Sequence, residues 1–493
     1  MGSTVRDAAA VVLVREAGRR RETFWVRRGR EVSLGGGFYA FPGGSLDPGD
    51  RAMAAALGTE ALRVAALREL FEETGVLLAS TPFDSAAARR ERRALLAGER
   101  AFAGAVRALG ARLDPARLDA AGRWLTPDFA PVRFDARFFL ARMPPDQVAE
   151  VWPGELVDGE WVTPDEALNR WSRAKALLHP PAKHLLQCLR DAGPPACLAR
   201  MVTPADAIDF VGQRIDFQRG ILFVPLKTPT LPPATHTNCA VVGEEELVVV
   251  DPGSPYREEQ AKLAKLCHGL RSEGRVFREI LLTHEHADHV GGVEALRREL
   301  DVPVRAHRLV AERLEGEVPV DGVIEPEERI RLQGALSLSL RAIHTPGHAR
   351  GHLAFLEENS GTLLAGDLVA GVGTVIIDPP EGDMRDYVAS LRKVRALGVG
   401  AIFPAHGPVL PDGPGLLDAT LAHRVERENR VLRALAACGP STPGALVPHV
   451  YTDVAESAYP MATRSLLAEL RKLVQEGRAV ADGERFRLAG GGS

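Results

Sequence analysis

The chain has 493 residues, of which 45% are hydrophobic and 26% are charged. These values are ordinary for globular proteins and exclude disorder of the whole chain, and the length predicts about two to four domains. The net charge of −4 does not indicate a polyanionic partner. No apolar run reaches the roughly 20 residues that a membrane span needs, and Ala8–Val14 is typical of a strand rather than a signal peptide. Five scattered cysteines without a CxxC pair favour a cytoplasmic protein without a disulfide framework.

Residues 1–195 form the first zone, which combines strand patterns with a long helical pattern. The apolar periodicity predicts a helix from Glu60 to Thr74, and Gly75 is placed to end it as a C-cap. Arg-rich amphipathic helices are predicted within 84–120. Strands are predicted at Ala8–Val14, Phe24–Arg27, Arg137–Leu140 and near Trp161.

A linker is predicted over 196–220, where proline is frequent and periodicity is weak. Residues 221–415 alternate short β-branched strands with helices, and each strand ends at polar residues. The strands are Leu247–Val250, Ile280–Leu282 and Thr362–Leu364. Residues 416–493 predict helices over Leu417–Ala436 and Ala462–Glu476, then a hairpin turning at Asp482-Gly483, a pattern typical of a winged helix.

A dense histidine cluster follows the strand Ile280–Leu282. Within Thr283–His289, the side chains of His284, His286, Asp288 and His289 are metal-ligating types, and imidazole with carboxylate suits zinc. Further candidate ligands stand where other strands give way to loops: His348, Asp367 and His406. Seven such groups are enough for two sites that share a carboxylate, the arrangement with which two metals generate a hydroxide and stabilise a leaving oxygen.

The motif T-H-x-H-x-D-H resembles the signature of the metallo-β-lactamase superfamily, with every ligand position filled between about 220 and 415. The resemblance implies an αββα four-layer sandwich and a metal-dependent hydrolase. It implies that His284, His286 and His348 hold one Zn²⁺, that Asp288, His289 and His406 hold a second, and that Asp367 bridges them. Asp288 would also orient the catalytic hydroxide. His352, four residues after His348, either faces the substrate or is structural.

The C-terminal zone resembles the winged helix of the β-lactamase-like protein 2 group, on Ala422–Glu428, Val450-Tyr451 and Leu466–Gly477. That group includes endoribonucleases acting on single-stranded RNA and thioesterases of polyketide pathways. The basic side chains of the zone either bind phosphates or form a solvated face of a packing module. They are Arg464, Arg471, Lys472, Arg478, Arg485 and Arg487.

A second chemical signal is the run Arg68–Val76, which places Glu69, Glu72 and Glu73 on one helical face. Such crowded carboxylates imply a hard cation, Mg²⁺ or Mn²⁺, holding a diphosphate, and Arg68 is spaced to pair with Glu72. The run resembles the Nudix box, with Glu60 at its first glutamate and Ala54 where the box has glycine.

The Nudix resemblance implies an α/β/α sandwich in which Glu69, Glu72 and Glu73 bind metal. The catalytic base would be either one of these three residues or a nearby glutamate, Glu155 or Glu160. Compared with the spacing of the Nudix box, the chain has an insertion of about ten residues before the helix. With this insertion it resembles the Nudix branch that contains peroxisomal coenzyme A diphosphatases. That likeness is carried by Phe41–Asp47, Arg133–Leu140 and Gly159–Pro164.

The sequence as a whole predicts a multidomain α/β and α+β hydrolase. The first functional hypothesis is cleavage of single-stranded RNA by the histidine site, with the Nudix domain acting on a nucleoside diphosphate. The alternative is hydrolysis of an acyl-coenzyme A thioester coupled to cleavage of the coenzyme's diphosphate. A third hypothesis makes the Nudix domain a non-catalytic nucleotide sensor. No membrane partner is expected, and no pattern indicates an oligomeric state.

Overall fold

The computed structural model describes residues 5–18, 20–29, 36–127, 129–130, 132–191 and 214–490. The chain divides into two compact units, Met1–Arg219 and Gly220–Ser493. The linker predicted over 196–220 lies largely outside the described residues. Among those residues, no helix combines the length and apolar character that crossing a membrane requires.

The first unit is an α/β/α sandwich. The strands of its sheet are β1 (Val5–Ala17), β2 (Arg20–Arg28), β3 (Tyr39–Ala40), β4 (Gly43–Ser45), β5 (Asp119–Leu125), β6 (Arg133–Arg142) and β7 (Leu156–Val162). A further strand, β8 (Ile215–Gln218), lies outside this sheet. Its helices are α1 (Pro48–Leu57), α2 (Ala61–Thr74), α3 (Ser85–Leu96), α4 (Phe102–Ala108), α5 (Pro164–Ser172) and α6 (Pro180–Asp191). The sheet runs β3-β2-β1-β6-β5, with β4 beside β1, β7 beside β2, and β1 parallel to β6.

Alternation along β1 determines which helix covers which face of the sheet. Val11 and Leu13 share a core with Leu67 and Phe71 of α2. Val12 and Val14 point to the opposite face, which is covered by α5 and α6. The predicted helix over 60–74 is confirmed as α2, and Gly75 ends it with φ 76°, a left-handed conformation that favours glycine. The ten-residue insertion forms α1.

The second unit carries two sheets with helices on their outer faces. The first sheet runs β14-β13-β12-β11-β10-β9 and the second β15-β16-β17-β18-β19. Their strands are β9 (Ile221–Lys227), β10 (His236–Gly243), β11 (Glu246–Val250), β12 (Val276–Leu281), β13 (Val304–Ala306), β14 (Gly322–Val323), β15 (Arg329–Arg331), β16 (Ser339–His344), β17 (Leu353–Glu357), β18 (Thr362–Gly366) and β19 (Ile402–Pro404).

The helices of this unit complete the αββα arrangement and the C-terminal module. They are α7 (Arg257–Ser272), α8 (Ala287–Val290), α9 (Val293–Leu300), α10 (Arg308–Arg313), α11 (Met384–Ala396), α12 (Gly413–Cys438), α13 (Pro443–Val450) and α14 (Tyr459–Gln475). Helices α7 and α9 share a core with the first sheet, and α11 and the start of α12 share one with the second. The ribbon β20 (Ala479–Asp482) and β21 (Arg485–Leu488) pairs around the predicted Asp482-Gly483 turn and completes the winged helix.

Candidate metal centres

Strand ends of both sheets of the second unit deliver the histidine cluster. His284 and His286 lie in the loop after β12, and Asp288 and His289 lie in the short helix α8 that follows. His348 follows β16, Asp367 directly follows β18, and His406 follows β19. Loops held by a rigid sheet can place side chains from distant parts of the chain within contact distance. All seven predicted ligands come together in this way.

The first donor group consists of His284, His286, His348 and Asp367, whose ligand atoms lie within 4.8 Å of one another. The Nδ1 atom of His286 is 2.9 Å from Nε2 of His284 and 2.9 Å from Nε2 of His348. Nε2 of His348 is also 3.3 Å from Oδ2 of Asp367. Three ring nitrogens and a carboxylate oxygen therefore converge on one point.

The second donor group consists of Asp288, His289 and His406. Nε2 of His406 lies 3.5 Å from Oδ2 of Asp288 and 3.4 Å from Oδ1 of Asp367. The same Oδ1 atom is 3.6 Å from Nε2 of His289. Asp367 thus faces the first group with Oδ2 and the second group with Oδ1.

Outer hydrogen bonds determine which ring nitrogens face inward as lone pairs. Nδ1 of His348 donates to the Ile376 carbonyl at 2.8 Å, and Nδ1 of His406 donates to the His236 carbonyl at 2.9 Å. A carbonyl only accepts, so Nδ1 carries the proton in both rings and Nε2 is left as an acceptor. Nδ1 of His289 similarly faces Asp251 Oδ2 at 2.8 Å.

These inward lone pairs need a cation. Buried Nε2 of His289 and Oδ1 of Asp367 have no hydrogen-bond partner among the described residues, and Nε2 of His406 faces two carboxylates. Burial lowers the pKa of His286 to about 4, so this ring is neutral and able to ligate. Burial alone would lower the pKa of His289, but Asp251 and Asp367 outweigh it and raise the pKa to about 10. Without a metal this ring therefore carries a proton, and the same two carboxylates favour a metal ion in the proton's place. The donor set fits divalent metal ions.

Of three residues that support the centre, Asp251 and Asn238 receive no role from the sequence patterns, whereas His352 has two alternative roles there. Asp251, which ends β11, accepts from the backbone N–H and hydroxyl of Thr283 as well as from His289. Asn238 donates through Nδ2 to the carbonyls of Pro404 and Gly407 on either side of His406. His352 is fully buried, and its Nε2 accepts from the backbone N–H of Asp367 at 3.0 Å, which favours the structural interpretation of this residue.

The glutamates of the first unit form a separate cluster on α2. Arg68 donates to Glu69 at 2.8 Å and to Glu72 at 2.9 Å, as the spacing predicts, and Glu73 accepts from the Gly43 backbone N–H at 2.8 Å. Arg68 is in turn held by Asp50 of α1 through both carboxylate oxygens, at 2.9 and 3.0 Å. The inserted helix therefore supplies a partner that the Nudix box itself does not reveal.

Burial makes the negative charge of these carboxylates unfavourable. It raises the pKa of Glu69 to about 7 and that of Glu73 well above its ordinary value. At Gly44, an added Cβ would lie 2.4 Å from Oε1 of Glu69, so a larger residue here would displace the Glu69 carboxylate from its present position. Partly buried carboxylates held by one arginine are oxygen donors of the type that suits a hard divalent cation.

The two candidate bases beyond α2 have different surroundings. Glu160 is engaged by Arg170 in an ion pair with an Nη1–Oε1 distance of 2.5 Å. The side chain of Glu155 is exposed, and its negative charge raises the pKa of both Glu69 and Glu73. The structure therefore places Glu155, rather than Glu160, within electrostatic reach of the cluster.

Several basic side chains of the winged helix are engaged within the protein. Lys472 and Arg478 both pair with Glu428 and Glu476, and Arg464 pairs with Asp378. Arg471 and Arg485 are exposed. The engaged cations are less available to phosphates than the sequence pattern indicates, because binding a phosphate would first break an ion pair.

Comparison with known proteins assigns the domains. Residues 232–406 match the model of the metallo-beta-lactamase superfamily, 442–487 the beta-lactamase associated winged helix domain, and 50–189 the NUDT19 Nudix domain. A beta-lactamase-like protein 2 homolog from Drosophila melanogaster is 31% identical over 253 residues, covering 49% of this chain and 83% of that protein. The chain belongs to the metallo-beta-lactamase superfamily.

Two further proteins match about half of this chain. An atrochrysone carboxyl ACP thioesterase from Aspergillus aculeatus is 31% identical over 256 residues, covering 49% of this chain and 77% of that protein. A metallo-beta-lactamase family protein from Thermus thermophilus is 24% identical, with a TM-score of 0.45, covering 55% of this chain and 98% of that structure. The superfamily and Nudix matches and the thioesterase relative show a hydrolase of the metallo-beta-lactamase superfamily that also carries a Nudix domain, and the superfamily fold implies divalent metal binding.

Proposed function

We propose that the histidine centre is a dinuclear zinc site that hydrolyses a thioester between an acyl group and coenzyme A or a related pantetheine carrier. The observation that carries the proposal is the pair of donor groups sharing Asp367, one carboxylate oxygen facing each group. Imidazole-rich donors suit zinc, whereas the all-carboxylate cluster on α2 suits Mg²⁺ or Mn²⁺. At that second site we propose cleavage of the diphosphate of the same coenzyme.

Two observations support a thioester as the substrate. Relatives with about the same identity as the Drosophila protein are named as acyl carrier protein thioesterases. The Nudix match is to the NUDT19 type, and a coenzyme A thioester is one molecule that carries a bond for each domain, a thioester for one and a diphosphate for the other. The internal pairing of Arg464, Lys472 and Arg478 weakens the rival proposal of RNA docking.

The residues of the chain have distinct tasks in this reaction. Bound metals would supply an activated water at neutral pH and polarise the substrate carbonyl. The Ile376 and His236 carbonyls keep the Nε2 lone pairs of His348 and His406 directed inward. Asp288 is partly exposed at the edge of the second donor group, and its carboxylate would orient the attacking water. His352 holds the backbone of Asp367 and so the orientation of the shared carboxylate.

Cleavage of single-stranded RNA is the second candidate. It is favoured by the winged-helix match over 442–487 and by the exposed Arg471 and Arg485, whose side chains are accessible to a phosphate backbone. Under this candidate, the Nudix domain acts on nucleotides or senses them.

Parallel substrate assays separate the candidates. Acyl-coenzyme A thioesters of several chain lengths are incubated with the zinc-loaded protein and the released thiol is measured, while labelled single-stranded RNA is tested on a denaturing gel. We expect thiol release that falls at least about 100-fold in Asp288→Ala, the loss typical of a positioned proton-transfer group. Glu72→Gln, in the other domain, is the matched control and should release thiol at the wild-type rate.

The outcomes are distinct. RNA cleavage by wild type and not by Asp288→Ala, without thiol release, would replace the thioester proposal by the RNA candidate. A protein with fewer than two divalent ions at this centre after loading would contradict the dinuclear site. For the Nudix site, Mg²⁺-dependent diphosphate hydrolysis that persists in Glu72→Gln would contradict catalysis there. Nucleotide-induced thermal stabilisation without turnover would support the sensor instead.

A further inference from the structure

The loop between β18 and α11, residues 368–383, follows the shared carboxylate Asp367 and is tied to its surroundings by its backbone carbonyls. The Leu368 carbonyl accepts from the hydroxyl of Tyr387 at 2.9 Å. The Val375 carbonyl accepts from Nη2 of Arg424 at 2.8 Å, and the adjacent Ile376 carbonyl accepts from Nδ1 of His348 at 2.8 Å. A metal-ligating ring therefore takes its orientation from a loop that is held by another part of the fold.

Arg424 lies on α12, outside the two sheets that carry the metal ligands. Its side chain is buried, and its guanidinium stands 5.0 Å from the centroid of the Tyr387 ring. Burying a charge is costly unless it is paired, so a buried arginine that donates to a loop carbonyl is strongly constrained in position. The Val375 carbonyl and the nitrogen and Cα of Ile376 belong to one planar peptide unit. The hydrogen bond from Arg424 to this carbonyl therefore restricts the backbone that presents the next carbonyl, that of Ile376.

Helix α14 supports the same arrangement from the winged helix. Burial raises the pKa of Glu469 to about 7, and the charge of Arg424 opposes this rise more than that of any other group. Among the charged groups that act on Glu469, Arg424 therefore has the largest effect. Two further residues of α14 reach the second half of the loop. Arg464 donates to Asp378, and Gln475 donates to Asp383.

We infer that Arg424 is a positioning residue for the first metal site, acting through the Val375–Ile376 backbone on the ring of His348. On this assignment, the C-terminal helices hold the loop that orients a ligand, a task that requires no contact with nucleic acid. The inference rests on the proposed dinuclear centre. It adds a residue whose guanidinium touches neither metal nor substrate.

Arg427 offers a closely matched control. It lies three residues further along α12, is equally buried, stands 4.3 Å from the centroid of Tyr451, and donates to the Val450 carbonyl at 2.9 Å. It also bonds to Asp453 and His423, both within the C-terminal module and outside the 368–383 loop. Arg424→Met and Arg427→Met each remove a buried guanidinium and its bond to a backbone carbonyl, but only the first releases the Val375 carbonyl of the loop. Arg427→Met also removes the ion pair with Asp453, so it should destabilise the fold at least as much.

The test measures metal affinity directly, by chelator competition on the full-length zinc protein and by the absorption spectrum of the cobalt form, together with thermal unfolding. In Arg424→Met we expect one of the two ions to bind about 10–100-fold more weakly, the usual effect of losing an outer partner of a ligand, with an altered cobalt spectrum. Arg427→Met should lose thermal stability but keep wild-type metal affinity. Arg424→Lys, which keeps a donor, should recover part of the affinity and serves if the methionine variant fails to fold.

Two results would overturn the inference. One is wild-type affinity for both ions in the Arg424 variants, and the other is an equal loss of affinity in Arg427→Met, which would show a general effect of destabilisation. A wild-type protein that binds fewer than two divalent ions would instead overturn the proposed centre, and this inference with it.

Discussion

Asn238 provides a prediction whose sign can be worked out from atomic contacts. Its Nδ2 donates at 2.9 Å to the Pro404 carbonyl and at 2.8 Å to the Gly407 carbonyl, and so joins β10 to both sides of the His406 loop. Asn238→Ala removes both bonds. At about 1 kcal/mol each, the free energy of unfolding falls by about 2 kcal/mol. At about 2 °C per kcal/mol for a unit of this size, the Tm falls by about 4 °C.

The isosteric change Asn238→Asp is predicted to be worse than alanine. A carboxylate oxygen would replace the amide N–H and face two carbonyl oxygens, so that two attractive contacts become repulsive. Differential scanning fluorimetry of the zinc-loaded variants should therefore rank wild type above alanine and alanine above aspartate. Chelator competition should show the second ion weakened about tenfold in both. An aspartate variant as stable as the alanine variant would refute this account of the loop.

Three further predictions concern the Nudix site. Arg92 donates to the backbone carbonyls of Glu72 and Glu73 at 3.0 and 2.8 Å, so Arg92→Met should weaken Mg²⁺ binding about tenfold in calorimetric titrations, whereas the exposed Arg93→Met should not. Burial raises the pKa of Glu69 to about 7 in the folded state, so protonation of this carboxylate stabilises the metal-free fold. The Tm measured in EDTA should therefore fall as the pH rises from about 5 to about 7. A Tm that rises over that interval would contradict this prediction. Added Mg²⁺ should reverse this fall, and its stabilising effect should be smaller in Glu72→Gln.

Local patterns in the sequence were sufficient for much of the fold and for the seven side chains that converge at the histidine centre. Helix α2 and its glycine cap follow from periodicity, and the ligands His284 to His289 are adjacent in sequence. The supporting contacts are different, because they join residues far apart in the chain. Asn238 meets Gly407 only when β10 and β19 are in place, and Asp50 meets Arg68 only because the insertion folds as α1. The site assignments themselves stay predictions until metal is measured.

The winged-helix cations show a second limit of sequence patterns. A row of arginines and lysines has the same appearance whether it is free or paired. Lys472 and Arg478 pair with Glu428, which is more than 40 residues away on α12. No local spacing reveals such a partner, so the choice between a phosphate-binding face and an internally paired one required the structure.

The outer hydrogen bonds of the ligands have a consequence for how this superfamily can be compared across species. His348 and His406 are held by the backbone carbonyls of Ile376 and His236, which every amino acid possesses. Positions 236 and 376 are therefore expected to vary freely in an alignment, although the bonds they make are essential to the centre. His289 is held by the side chain of Asp251 and should show the opposite behaviour, with the two residues lost or retained together.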